Sequence, residues 1–212
     1  MSQAPAIHIA QRQDIDALPP FQGLASDRIV MPASATEFAA AIASIRKCPC
    51  VGFDTESKPT FRVGEASSGP HLVQFATTDQ VYLFQVGVPG CLEATREVLQ
   101  APDVVKIGFG LKSDRSRVRN RLGIELHPYI DLGTALRYQG RKGQVGLRGA
   151  VAGILASRLH KSRRVATSNW ANAVLSEAQR AYAANDAYAA LRVFLGLDRM
   201  QRQMLLVAAT GA

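Results

Sequence analysis

Cysteine is scarce in this chain, and what there is does not pair. Cys48, Cys50 and Cys91 leave an odd count without C-x-x-C spacing. That excludes a disulfide framework or a zinc site as the organising device and suits an intracellular, reducing compartment such as the cytoplasm. Long apolar runs are also missing. None approaches the ~18 residues that a membrane-spanning helix needs, so no membrane partner is expected. The N-terminal stretch carries Asp14 and Asp16 and lacks an apolar core, so neither a signal nor a transit peptide is expected. No repeat or low-complexity block breaks the chain. His71, His127 and His160 show neither metal-ligand nor triad spacing and read as surface or satisfied core residues.

What is present is ordinary globular material with unevenly placed charge. With 47% apolar and 20% charged residues over 212 positions, the chain is long enough to bury one sizeable core. Residues 1–27 are mixed and Pro-containing and read as an irregular arm, with a single domain over 28–212. The net charge is +8, yet residues 106–164 hold fourteen Lys/Arg against Asp114, Glu125 and Asp131. Such a stretch is either a solvated face or a track for a phosphate backbone. For the second reading the better candidates are Arg141, Lys142 and Arg148, beside Gly-rich sequence, and Lys161, Arg163 and Arg164, because loops can reach a bound strand.

Local signals place the elements. Ser34-Ala35-Thr36-Glu37 is a capping box that opens a helix through about Arg46. Strands are expected at 49–56, 71–77 and 80–86, the last two joined as a hairpin by a tight Thr78-Asp79 turn. A helix over 91–101, a strand over 104–108, a helix over 112–122, a short strand near 128–131 and further helices complete an α/β pattern. Gly108-x-Gly110 after a strand resembles the start of a dinucleotide fingerprint, but position 113 is Ser and the turn lies mid-chain, which disfavours a Rossmann reading.

Four carboxylates and one phenol carry the chemistry. Asp54 and Glu56 are two apart at the end of an apolar strand, so both leave the same face. Tyr182 and Asp186 are four apart in an Ala-rich helical segment and stack one turn apart on one side. Hard oxygen ligands of this kind suit Mg²⁺, which prefers carboxylates and waters. Taken singly, D-x-E pairs are common on solvated strand ends, and Tyr at helical spacing is usually core. Their order along the chain changes the weight: an acidic pair on the first strong strand, Asp114 after a later one, and the Tyr/Asp pair on the last long helix.

In that order the sequence resembles the DEDDy subgroup of 3′–5′ exonucleases, with its Werner-type and RNase D-like members. Asp54-Thr55-Glu56-Ser57-Lys58-Pro59-Thr60-Phe61 is similar to the subgroup's first motif, and Lys106 through Asp114 to its second. Ser168-Asn169-Trp170, Gln179 and Tyr182-Ala183-Ala184-Asn185-Asp186 are similar to the third and its approach. Ala181 stands where the related DEDDh subgroup has His, and Val174 stands where relatives usually have Pro.

The resemblance implies an RNase H-like α/β fold, a mixed five-stranded sheet flanked by helices. It further implies a metal-dependent exonuclease that hydrolyses the terminal phosphodiester of DNA and releases nucleoside 5′-monophosphates. Asp54, Glu56, Asp114 and Asp186 would hold two Mg²⁺ or Mn²⁺ ions, and Tyr182 would orient or deprotonate the attacking water. Phe61 would stack on the terminal base, while Trp170, Tyr188 and Gln74 read as structural. The alternatives are an RNase D-like enzyme trimming RNA or short oligoribonucleotides, and a non-catalytic nucleic-acid-binding module of the same fold.

Overall fold

Residues 6–60, 68–140 and 143–211 are described by the computed structural model; Phe61, Arg141 and Lys142 lie outside the described residues. In chain order the elements are β1 (Ile7–Ile9), β2 (Ile29–Val30), α1 (Ala35–Ile45), β3 (Cys50–Glu56), β4 (Leu72–Ala76), β5 (Val81–Gln85), α2 (Cys91–Leu99), β6 (Val105–Gly108) and α3 (Lys112–Arg117). There follow β7 (Tyr129–Asp131), α4 (Leu132–Ala135), β8 (Leu136–Tyr138), α5 (Leu147–Leu155), α6 (Arg163–Ala166), α7 (Glu177–Leu195) and α8 (Arg199–Thr210).

The main sheet has the order β2-β5-β4-β3-β6-β7. β3, β4 and β5 form an antiparallel meander that contains the expected β4–β5 hairpin, turned at Thr77, whose amide donates to the Gln80 carbonyl at 2.8 Å. β6 and β7 then run parallel to β3. The sheet differs from the five-stranded expectation by one strand, β2, which pairs with β5 through only two residues. Two residues are too few for an alternating pattern to register in sequence. The arm over 1–27, expected to be irregular, also contributes β1, which pairs with β8 in a separate ribbon. The alternation Ile-His-Ile accounts for it, because Ile7 and Ile9 are both buried against a core that includes Leu136 and Val151.

Helices cover both faces because β3 is apolar on both sides before its acidic end. Val51 and Phe53 pack with Phe38, Ile42 and Ile45 of α1 and with Val98 and Leu99 of α2. α1 starts where expected, with the Ser34 side chain accepting from the Glu37 amide and Glu37 accepting from the Ser34 amide. On the other face lies α7, opened by a second capping box of Ser176 and Gln179. Gly52 lets α7 come close, since a Cβ there would run into the Ala187 carbonyl. That approach, helped by Ala183 and Ala187, carries Asp186 up to the end of β3. The helix expected over 112–122 is α-helical only to Arg117 and continues as a π turn over Val118–Leu122.

Candidate active site

Strand alternation and helix packing converge on one end of the sheet. Asp54 and Glu56 leave β3 on the α7 side, and Asp186 reaches them from α7. One carboxylate oxygen from each lies within 4.8 Å of the other two. Asp114 is not part of that group. It comes from α3 across the strand end, where its Oδ1 accepts from the Thr55 hydroxyl at 2.5 Å and lies 3.9 Å from Arg117. Thr55 points to the opposite face from Asp54 and Glu56, which is why the fourth carboxylate approaches from the other side.

The cluster is short of positive charge. Burial, then Asp186 and Asp114, push the Asp54 carboxyl well above the usual range. Burial followed by Asp54 and Asp186 takes Glu56 up to about 9. Asp114 and Asp186 are raised too, chiefly by burial, although Lys161 and Tyr182 partly offset this at Asp186. Crowded carboxylates of this kind resist ionising together, and a cation among them relieves the repulsion. The donor set is all oxygen, so these residues fit a hard divalent ion.

Within the protein itself the counter-charge is Lys161. Its Nζ sits 2.7 Å from Asp186 Oδ2 and 5.3 Å from the centre of the Tyr182 ring. Burial would lower this ammonium, but Asp186 outweighs it and holds Lys161 above its ordinary value. Lys161 was one candidate for contact with substrate phosphates; in the structure its ammonium pairs with an acidic residue of the cluster. Lys161→Met is accordingly expected to lower the metal-free melting temperature. The loss is about 2 kcal/mol, below the full worth of a buried pair because solvent still reaches Lys161 and the carboxylates can take up protons. For a chain of this length that is roughly 4–8 °C. Mn²⁺ should then raise melting more in the variant than in the parent; equal increments would show that Lys161 is not the counter-charge.

The other expected residues distribute as follows. Tyr182 is half-buried on α7, one turn before Asp186, with its ring 6.1 Å from that of Trp170. Burial and Asp186 push its phenol up to about 12, so it keeps its proton at neutral pH. Trp170 is fully buried and donates to the Ala166 carbonyl, in keeping with a packing role. Arg163 and Arg164 are exposed on α6, two and three residues beyond Lys161, and Arg148 is exposed on α5.

Much of the basic stretch is otherwise engaged. Lys106 is completely buried, donating to the carbonyls of Val98, Ala101 and His127. Burial draws Lys106 down to about 7, while three carbonyl acceptors favour the charged form with its three donors. Arg115 lies over the Tyr129 ring, and Arg119 pairs with Glu125 at 3.0 Å.

One contributor escaped sequence reasoning. Asp131, counted above only among the acidic residues of the basic stretch, accepts from the amides of Gly110, Leu111 and Gly133, each at 2.9 Å. It thereby pins the turn between β6 and α3, where Gly110 takes a φ of 67°, and so positions Asp114. The spacing of Asp131 before Gly133 and Thr134 was the available signal, since it makes Asp131 the N-cap of α4.

Comparison with known proteins agrees with this architecture. The family described as 3′–5′ exonuclease matches residues 29–202. The chain is 26% identical over 152 residues to the Mus musculus bifunctional 3′–5′ exonuclease/ATP-dependent helicase WRN, covering 71% of this chain and 11% of that protein. It is 32% identical over 163 residues to a ribonuclease D of Gluconacetobacter diazotrophicus, covering 75% of this chain and 40% of that one. Among solved structures, the Nibbler EXO domain of Aedes aegypti superposes with a TM-score of 0.71 at 25% identity, over 88% of this chain and 97% of that domain. The fold is the RNase H-like arrangement expected. No helix among the described residues is long and apolar enough to cross a membrane. With the family matched over most of its length and an acidic cluster at the end of β3, this chain belongs to the 3′–5′ exonuclease family, whose members depend on metal and act on nucleic acid.

Proposed function

We propose that the chain is a DEDDy-type exonuclease that uses two Mg²⁺ or Mn²⁺ ions to release nucleoside 5′-monophosphates from the 3′ end of DNA. The observation that carries this reading is the meeting of Asp54, Glu56 and Asp186 within 4.8 Å, with Tyr182 one helical turn from Asp186. Asp54, Glu56 and Asp186 would hold such ions, with Asp114 flanking them, and the chemistry supplied would be a lowered pKa for a bound water and charge neutralisation at the leaving oxygen. Asp54 and Glu56 are fixed by the β3 backbone. Asp114 is fixed by Thr55 and, through the preceding turn, by Asp131. Tyr182, one turn before Asp186 on α7, would orient or deprotonate the attacking water. The terminal nucleotide must splay into the site, which costs less at a frayed end than inside a duplex.

α6 gives the strand its approach. Its anchor is Lys161 on Asp186, and the exposed Arg163 and Arg164 follow at once. Arg163→Ala/Arg164→Ala is expected to weaken nucleic-acid binding and reduce the slope of log affinity against log salt by about 1–2, since each phosphate contact releases counterions. Fluorescence anisotropy over a salt series measures it, and an unchanged slope would assign both to a solvated face.

The Werner-type residues from Asp54 onwards favour DNA. The 32% identity to a ribonuclease D supports the second reading, an RNA-trimming enzyme. A time course on matched 5′-labelled DNA and RNA, with and without a 3′-phosphate block and beside circular DNA, separates them. A descending DNA ladder slowed by the block is expected. Much faster loss of RNA would establish the second reading, and circles cut as fast as linear DNA would exclude an exonuclease.

A further inference from the structure

Gln74 sits at the centre of β4 and is completely buried. Neither its Nε2 nor its Oε1 has a hydrogen-bond partner among the described residues. A carboxamide offers two donors and two acceptors, and leaving all of them unmet in a core is rare and unfavourable. Its surroundings do not require a polar group. Leu72 and Ala76 flank it on β4, Leu83 opposes it on β5, and Ala183 and Ala187 of α7 belong to the same apolar cluster. Leu or Met would fill such a position with no unmet polar atoms.

The sheet register supplies the reason for a polar residue. Gln74 is the direct cross-strand partner of Asp54, so both side chains leave the same face, towards α7. Opposed Cβ atoms lie about 4.5–5.5 Å apart; the Gln74 carboxamide does not bond to Asp54 in this structure, and a turn of its side chain brings it to the carboxylate. Asp54 Oδ1 accepts from the Thr55 amide at 2.9 Å, and its other oxygen has no hydrogen-bonded protein partner among the described residues. On that face Gln74 is the neighbour across the ladder that can donate to it.

From this we infer that Gln74 is a positioning residue for Asp54: its carboxamide fixes the carboxylate in the orientation that presents it to a divalent cation. This rests on Asp54 being a metal ligand, as proposed above. The buried amide is thus a place where stability is given up for ligand geometry.

Gln74→Met is the test, with Gln74→Leu as a second variant in case the first folds poorly and Asp54→Asn as a control on the site itself. Metal-free melting, Mn²⁺ affinity by calorimetry, and kcat and KM on a 5′-labelled oligonucleotide are measured for each. The Gln74 variants are expected to melt at or above the parent without metal, to bind Mn²⁺ about 10-fold more weakly, and to lose about 10–100-fold in kcat at little changed KM. Parental Mn²⁺ affinity and turnover in a Gln74 variant, beside an Asp54→Asn protein that has lost both, would overturn the inference. A lower metal-free melting temperature with parental Mn²⁺ affinity would overturn it equally, making Gln74 a core residue only. If Asp54→Asn itself binds Mn²⁺ and cleaves like the parent, the assignment of the metal ligands fails, whatever the Gln74 variants do.

Discussion

Asp54→Ala is expected to lower exonuclease turnover by on the order of 10⁴-fold, the scale on which groups that act as a unit fail together, while the metal-free protein melts no lower than the parent; Asp186→Ala should lose turnover equally but melt lower, because it leaves Lys161 without its partner. The second half distinguishes a catalytic carboxylate from a structural one. Burial and mutual repulsion raise Asp54 and Glu56, so deleting Asp54 removes repulsion instead of support.

The pH dependence gives the sign. Glu56 titrates near 9 in the fold against an ordinary 4.5, so between those values the folded state binds more protons than the unfolded one. Stability in the absence of metal therefore falls as pH rises across that window, in proportion to the difference in bound protons. Lys106, lowered to about 7 from 10.5, acts in the opposite sense from pH 7 upward, so the informative quantity is the difference between variant and parent. Asp54→Ala should flatten the decline, because burial remains but the nearest repelling charge on Glu56 is gone. Calorimetric melts in chelator at pH 5.5 and pH 8.5 provide the check, and turnover within tenfold of the parent in either variant would refute the site.

Tyr182→Phe is expected to lose on the order of 10²-fold in kcat with KM nearly unchanged, the usual worth of a positioned proton-handling group. The ring would keep its contacts with Trp170 and the Lys161 ammonium, so only the hydroxyl is removed. Steady-state kinetics on a 5′-labelled oligonucleotide test this. Parental turnover in the Phe variant would return Tyr182 to the core and withdraw the DEDDy assignment.

The sequence by itself determined the local half of this protein. The two-residue period of a strand put Asp54 and Glu56 on one face, and the helical turn put Tyr182 above Asp186. Ser34 with Glu37 marked the start of α1, and the Thr78-Asp79 turn marked the β4–β5 hairpin. These are contacts within a few residues, and a periodic pattern is enough to state them. Tertiary structure alone decided the rest, because it depends on which distant segments meet. It buried Lys106 under three carbonyls, set Lys161 on Asp186, turned Asp131 into the clamp of the Asp114 turn, and brought Asp114 in through Thr55. A lysine in a basic stretch reads the same whether it faces phosphate or a carboxylate 25 residues away. Only the close approach of α7 over Gly52, and the strand register that sets Gln74 against Asp54, settled which neighbours these charges and polar groups have.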